Sequence, residues 1–120
     1  MGDLTENFSA WEFACPCCGE ARIQPHHVEM LQQVRDTIDF PMHINSGYRC
    51  ALYNATLADA VPNSAHTRGE ASDVSCRDAA YRIALVQAAL EVGFNRIGIA
   101  KTYIHLDKDP FLPAPRMWVY

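Results

Sequence analysis

An α+β fold is predicted for this chain, with a central, mainly antiparallel sheet and helices packed on one side of it. Three observations carry the prediction. Two stretches, 25–39 and 79–92, hold apolar residues at helical spacing; several short stretches have strand character; and the two kinds do not alternate regularly, as they would in a parallel βαβ design. At 120 residues the chain is one domain's length, so a single domain over 1–120 is expected.

Ser9-Ala10-Trp11-Glu12 has the form of a capping box and opens a short helix ending near Cys15. Pro25 suits the first turn of the next helix, which sets Val28, Leu31, Val34 and Ile38 at helical spacing and is stopped by Pro41. Met42 to Asn45 alternates like a strand, and Ser46-Gly47 turns out of it. The alanine-rich segment 50–60 reads as a short helix before Pro62, and 61–69 as a loop rich in breakers. A strand from Ala71 to Cys76 leads into the most regular helix, Ala79 to Val92, with Ile83, Val86 and Leu90 at apolar spacing and Gly93 closing it. Strands at Arg96 to Ala100 and Tyr103 to Asp107 come next. A loop with Pro110, Pro113 and Pro115 precedes a last apolar strand, Met117 to Tyr120.

Composition narrows the function classes. Apolar residues make up 49% and charged residues 20%, as in an ordinary globular protein, and the formal net charge is −4 with no block of Lys or Arg. No nucleic-acid partner is therefore expected. No stretch approaches the roughly 18 apolar residues that cross a bilayer, so no membrane segment is expected. Residues 1–9 lack the basic and apolar pattern of a signal peptide, which predicts a cytoplasmic protein as synthesised.

Five cysteines are an odd number, and three crowd into Cys15-Pro16-Cys17-Cys18-Gly19. Two readings stand. They are reduced thiols at a tight turn, or they form half a zinc knuckle completed by Cys50 or Cys76.

Two polar clusters sit beside strand-forming residues: Ser64-Ala65-His66-Thr67-Arg68-Gly69-Glu70-Ala71-Ser72-Asp73, and Tyr103-Ile104-His105-Leu106-Asp107. Strand alternation sends His105 and Asp107 to one face and Ile104 and Leu106 to the other; it separates Ala71 and Asp73 from Val74 in the same way. Gly69 allows a sharp turn between His66 and the strand carrying Asp73. Two imidazoles and a carboxylate suit one Zn²⁺ and leave a fourth position open, as catalytic sites do. The plainer reading makes His66 a loop residue, Asp73 a turn residue and His105 a satisfied strand histidine.

The pattern S-x-H-x-x-G-x-A-x-D over Ser64 to Asp73, with His105-x-Asp107 about thirty residues later, resembles the zinc D-Ala-D-Ala carboxypeptidases of the lysostaphin, D-Ala-D-Ala carboxypeptidase and Hedgehog superfamily. Further resemblance lies in Phe8-Ser9 with Glu12-Phe13 and Cys15, in Asn45-Ser46-Gly47-Tyr48-Arg49 with Asn54, and in Arg96-Ile97-Gly98-Ile99. The resemblance implies a Hedgehog/D-Ala-D-Ala carboxypeptidase-like fold and one zinc per chain on His66, Asp73 and His105. It implies hydrolysis of peptide bonds in peptidoglycan stem peptides or cross-links by a monomer of bacterial or bacteriophage origin, acting at the cell wall after release. Arg49 is expected to hold the scissile carbonyl or a substrate carboxylate. Its plainer role is a structural ion pair. Ser64 is expected to bind substrate or cap the loop.

One departure bears on mechanism. The acidic residue that serves the best-known relatives as general base, three positions before the last histidine, is replaced by Thr102. Asp107 is the first candidate for that task, with orientation of His105 as its other role, and Glu70 is the second. The rival expectations are a zinc-bearing module that binds cell-wall peptides or a protein without cleaving, and a structural virion component stapled by zinc.

Overall fold

The computed structural model describes residues 2–57 and 63–120. Five strands form one sheet: β1 (Ile44–Ser46), β2 (Ala71–Ser75), β3 (Arg96–Ile99), β4 (Tyr103–Asp107) and β5 (Arg116–Val119), in the order β1-β2-β4-β3-β5. β1 with β2, β2 with β4, and β3 with β4 pair antiparallel, whereas β5 lies parallel to β3. The sheet is therefore mixed, which corrects the mainly antiparallel expectation. Asp107 at the end of β4 and Arg116 at the start of β5 both pair with Arg96. The proline-rich connection between them thus stays at one end of the sheet and steps over β3, and β5 must then run in the direction of β3.

Alternation divides the sheet into an apolar and a polar face. Val74, Ile97, Ile104 and Leu106 are buried in one core with Val28, Leu31 and Val34 of α1 (Pro25–Ile38) and Leu85, Ala88 and Ala89 of α3 (Ala79–Val92). Phe8, Phe13 and Phe94 complete it. On α3 the buried stripe is not the one that the bulky residues suggest: Ile83 and Leu90 are 69% and 52% exposed. Small alanines instead face the core, where they let the helix lie close to its neighbours. Asp78 caps α3 by accepting from the Tyr81 N–H at 2.8 Å, and Asp39 ends α1 in the left-handed region with φ 52°.

The remaining elements are short. The capping-box segment forms a 3-10 turn, Ala10–Phe13, in which the Glu12 carboxylate accepts from the Ser9 N–H at 2.7 Å. A second 3-10 turn, Ala65–Arg68, occupies part of the expected loop. α2 (Ala51–Ala55) is shorter than the helix expected over 50–60, whose last residues lie outside those described. Among the described residues no helix is long and apolar enough to cross a membrane.

His27 gives the core a pH-dependent element. It is 2% exposed, shares a 2.7 Å hydrogen bond with the Ser72 hydroxyl and meets the edge of Phe94. Burial lowers its pKa from 6.5 to about 3, helped by the neighbouring His66 and His105. Below pH 6.5 the unfolded chain takes up a proton that the folded chain refuses, so stability is full above that pH and is lost as pH falls. The loss is about 1.4 kcal/mol per pH unit. Denaturant unfolding at pH 7.5 and 5 is expected to show His27→Gln losing about 2 kcal/mol less than the parent. Parallel profiles for the two proteins would refute this role.

Candidate metal centre

The polar face of the sheet carries the centre. β2 and β4 pair with Asp73 opposite His105, so the two side chains leave the same face side by side. His66 arrives from the 3-10 turn, which Ser64 caps by accepting from the His66 N–H at 3.2 Å. Gly69 then turns the chain into β2 with φ 70°; a Cβ there would stand 1.9 Å from the carbonyl oxygen of Arg22. Only glycine fits both that backbone and that contact.

Three acceptor atoms converge. Asp73 Oδ1 lies 3.3 Å from His66 Nε2 and 3.1 Å from His105 Nδ1. The other nitrogen of each ring is already committed. His66 Nδ1 donates to the carbonyl of Gly47 at 2.7 Å, and His105 Nε2 donates to Asp107 Oδ2 at 2.5 Å. These partners fix the tautomers so that both free lone pairs point toward Asp73. Three acceptors with no hydrogen between them need a cation or an added proton. The electrostatics say the same: burial opposes charge on His105, but hydrogen bonds to Asp107 and Asp73 outweigh it and raise its pKa. Burial lowers that of His66 despite Asp73 beside it. Burial would raise Asp73, yet His66 and His105 hold its carboxyl well below the usual range. The donor set of two neutral imidazoles and one carboxylate fits Zn²⁺.

Around this point lies a cleft of about 540 Å³. Arg49 borders it and binds Asp73 Oδ2 at 3.3 Å, the Ser46 hydroxyl at 3.1 Å and Asn54 Oδ1 at 3.4 Å. Three of the five guanidinium N–H groups are thereby used. Ser64 also lines the cleft, as do Tyr103, Trp118 and Tyr120. Trp118 packs at 5.3 Å from the His105 ring, and Tyr120 at 5.3 Å from Tyr103. Burial pushes the Tyr120 phenol up to about 12, so its hydroxyl stays protonated.

The two candidate bases stand in different places. Asp107 is fully buried on the cleft face, with Oδ2 on His105 and Oδ1 accepting from the Asp109 N–H at 3.0 Å beside Arg96 Nε, also at 3.0 Å. Glu70 precedes β2 and pairs with His26 of α1 at 2.6 Å. Apart from Asp73 and Asp107, no described residue lining the cleft carries a carboxylate. Thr102 sits in the turn between β3 and β4, where its carbonyl accepts from the Cys76 N–H at 2.9 Å.

Sequence reading missed several neighbours. Trp118 and Tyr120 share one side of the last strand by alternation, but only the parallel pairing with β3 brings Trp118 over His105 and Tyr120 beside Tyr103. Asp109, 2% exposed, links Asp107 to Arg68, whose Nε donates to it at 2.7 Å. The spacing Asp107-x-Asp109 was its one signal.

A His, Asp, His set at a cleft on a sheet face is an arrangement in which a metal-dependent hydrolase can hold its ion. A family model described as Peptidase M15 matches residues 3–107. The chain belongs to that family, the M15 zinc D-Ala-D-Ala carboxypeptidases. No curated protein matches it.

Proposed function

We propose that this protein is a zinc peptidase of the D-Ala-D-Ala carboxypeptidase-like fold, cleaving peptide bonds in peptidoglycan stem peptides or their cross-links. The convergence of His66 Nε2, Asp73 Oδ1 and His105 Nδ1 within 4.8 Å of one another carries this reading, together with membership of the M15 family. Those three atoms would hold the zinc. When bound, the metal supplies a Lewis acid for the scissile carbonyl and an acidified water as nucleophile.

The chain's own residues do the rest. Arg49 braces Asp73 and turns its remaining N–H groups to the substrate carbonyl or a terminal carboxylate. Trp118 and Tyr120 wall the cleft and thin the water beside the reacting bond, and Ser64 offers a hydroxyl to the substrate backbone. Asp107 takes the orienting role rather than that of proton acceptor, because both its oxygens are engaged and the first fixes the tautomer of His105. Glu70, held by His26 on the helix side, is no proton acceptor either.

Purified protein incubated with peptidoglycan fragments is expected to release D-alanine or to open cross-links, to stop on chelation and to recover with zinc. In the same assay Asp107→Asn is expected to weaken zinc binding by about 10- to 100-fold while leaving turnover per bound zinc nearly unchanged. Unchanged affinity with a turnover loss of about 10²- to 10⁴-fold would instead make Asp107 the base. A zinc-loaded protein that cleaves nothing would favour the second reading, a binding module, for which the absence of a further carboxylate among the described cleft residues speaks.

A further inference from the structure

Three of the five cysteines, Cys15, Cys18 and Cys50, gather at one place, and none of them lines the cleft. Cys15-Pro16-Cys17-Cys18-Gly19 folds back on itself: the Gly19 N–H donates to the Cys15 carbonyl at 2.8 Å, the Cys15 N–H to the Glu20 carbonyl at 2.7 Å, and Gly19 takes φ 76°. The turn lays Cys15 and Cys18 on the same side. Cys50, 35 positions beyond Cys15, closes the group; the sulfurs of Cys15, Cys18 and Cys50 all lie within 4.8 Å of one another. Cys76, the other residue that the sequence offered to complete a knuckle, lies elsewhere with its sulfur toward the Asp78 carbonyl.

Two features mark this as more than a pocket of thiols. The first is spacing. Tetrahedral Zn–S bonds of about 2.3 Å put sulfurs roughly 3.8 Å apart, and Cys15 Sγ stands 3.6 Å from Cys50 Sγ. The second is the backbone. The Cys50 N–H donates to Cys15 Sγ and the Tyr53 N–H to Cys50 Sγ, each at 3.4 Å. Amide donors aimed at sulfur stabilise thiolate, the form that binds metal. A neutral thiol, a weak acceptor, has no need of them.

We infer that Cys15, Cys18 and Cys50 hold a second zinc ion at a structural site, so that the protein carries two zinc ions and not one. Sulfur ligands drawn from two separate segments, none of them lining the cleft, mark a structural rather than a substrate-binding metal site. The site pins the N-terminal turn to the start of α2, whose N-cap is Cys50. Arg49 precedes Cys50 directly, and the Tyr48 N–H donates to the Phe13 carbonyl at 2.9 Å. The metal therefore fixes the backbone that presents Arg49 to the cleft. This inference stands independently of peptidase activity.

Elemental analysis of protein purified under reductant and supplied with zinc tests it. Two zinc ions per chain are expected in the parent, one in Asp73→Asn and one in Cys18→Ser, a substitution at an exposed position. Asp73→Asn keeps every cysteine, so cobalt loading of that variant guards against misfolding of Cys18→Ser. It is expected to give the intense near-ultraviolet sulfur-to-cobalt absorption of a tetrahedral thiolate site. Asp73→Asn protein that binds no metal and shows no such band would overturn the inference. So would a Cys15–Cys50 disulfide found by mass spectrometry in protein that had been kept reduced and offered zinc.

Discussion

Asp73→Asn is expected to lower kcat/KM on a peptidoglycan fragment by about 10³-fold or more, the several kcal/mol of transition-state stabilisation that a catalytic metal supplies. The substitution changes almost no volume, so the effect is electronic. Asp73 is an acceptor on all sides: Oδ1 faces two imidazole nitrogens and Oδ2 faces Arg49. An amide must turn its NH₂ toward one of these. Toward Arg49 it sets donor against donor; toward the imidazoles it puts hydrogens where a cation belongs. Either way the negative charge that offsets a divalent ion beside two neutral rings is gone. Steady-state kinetics at saturating zinc measure the loss, and turnover within tenfold of the parent would remove Asp73 from the ligand set.

Arg49→Lys is expected to leave the fold and the cleft metal in place and to lower kcat/KM by about 10²-fold, the usual worth of one donor to a developing oxyanion. Lysine keeps the charge but not the fork. A single ammonium cannot span Ser46, Asn54 and Asp73 and still reach a substrate, as the planar guanidinium does. The split between constants separates its two tasks. A rise in KM alone points to a clamp on a substrate carboxylate; a fall in kcat points to support of the reacting carbonyl. A variant that matches the parent in both would leave Arg49 as a brace for Asp73 only.

How much of this was legible in the sequence depended on the range of the interaction that decides it. His66, Asp73 and His105 could be offered as one site on paper because a strand period of two and a turn glycine are local rules, and the resemblance to the zinc D-Ala-D-Ala carboxypeptidases singled out the same three residues. α1 could be read by a local rule too, since its apolar face contains Val28, Leu31 and Val34. The buried stripe of α3 could not be read, because Ile83 and Leu90 have the right spacing and the wrong side. Which side of a helix faces inward is decided by what it meets, and here α1 and the sheet favour alanines. The direction of β5 was equally hidden. Its own residues state that it is a strand, but only the path of 108–115 over the sheet edge states which neighbour it takes. Cys50 and Cys76 were indistinguishable as partners of Cys15 for the same reason. The surroundings of Asp107 and Glu70 involve neighbours up to 44 positions away, such as His26 for Glu70.

β5 is fastened unevenly. It ends the strand order and bonds to β3 alone, whereas β2 and β4, which carry Asp73 and His105, are each flanked on both sides. Local opening begins where backbone bonds face solvent and contacts are fewest. The aromatic wall of the cleft therefore rides on an edge of the sheet, and its floor on strands flanked on both sides. Edge position leaves Trp118 and Tyr120 freer to shift than the histidines and Asp73, which sit on interior strands and their turn. If the cleft serves the proposed reaction, a looser rim and a stiffer base are supplied by one continuous sheet.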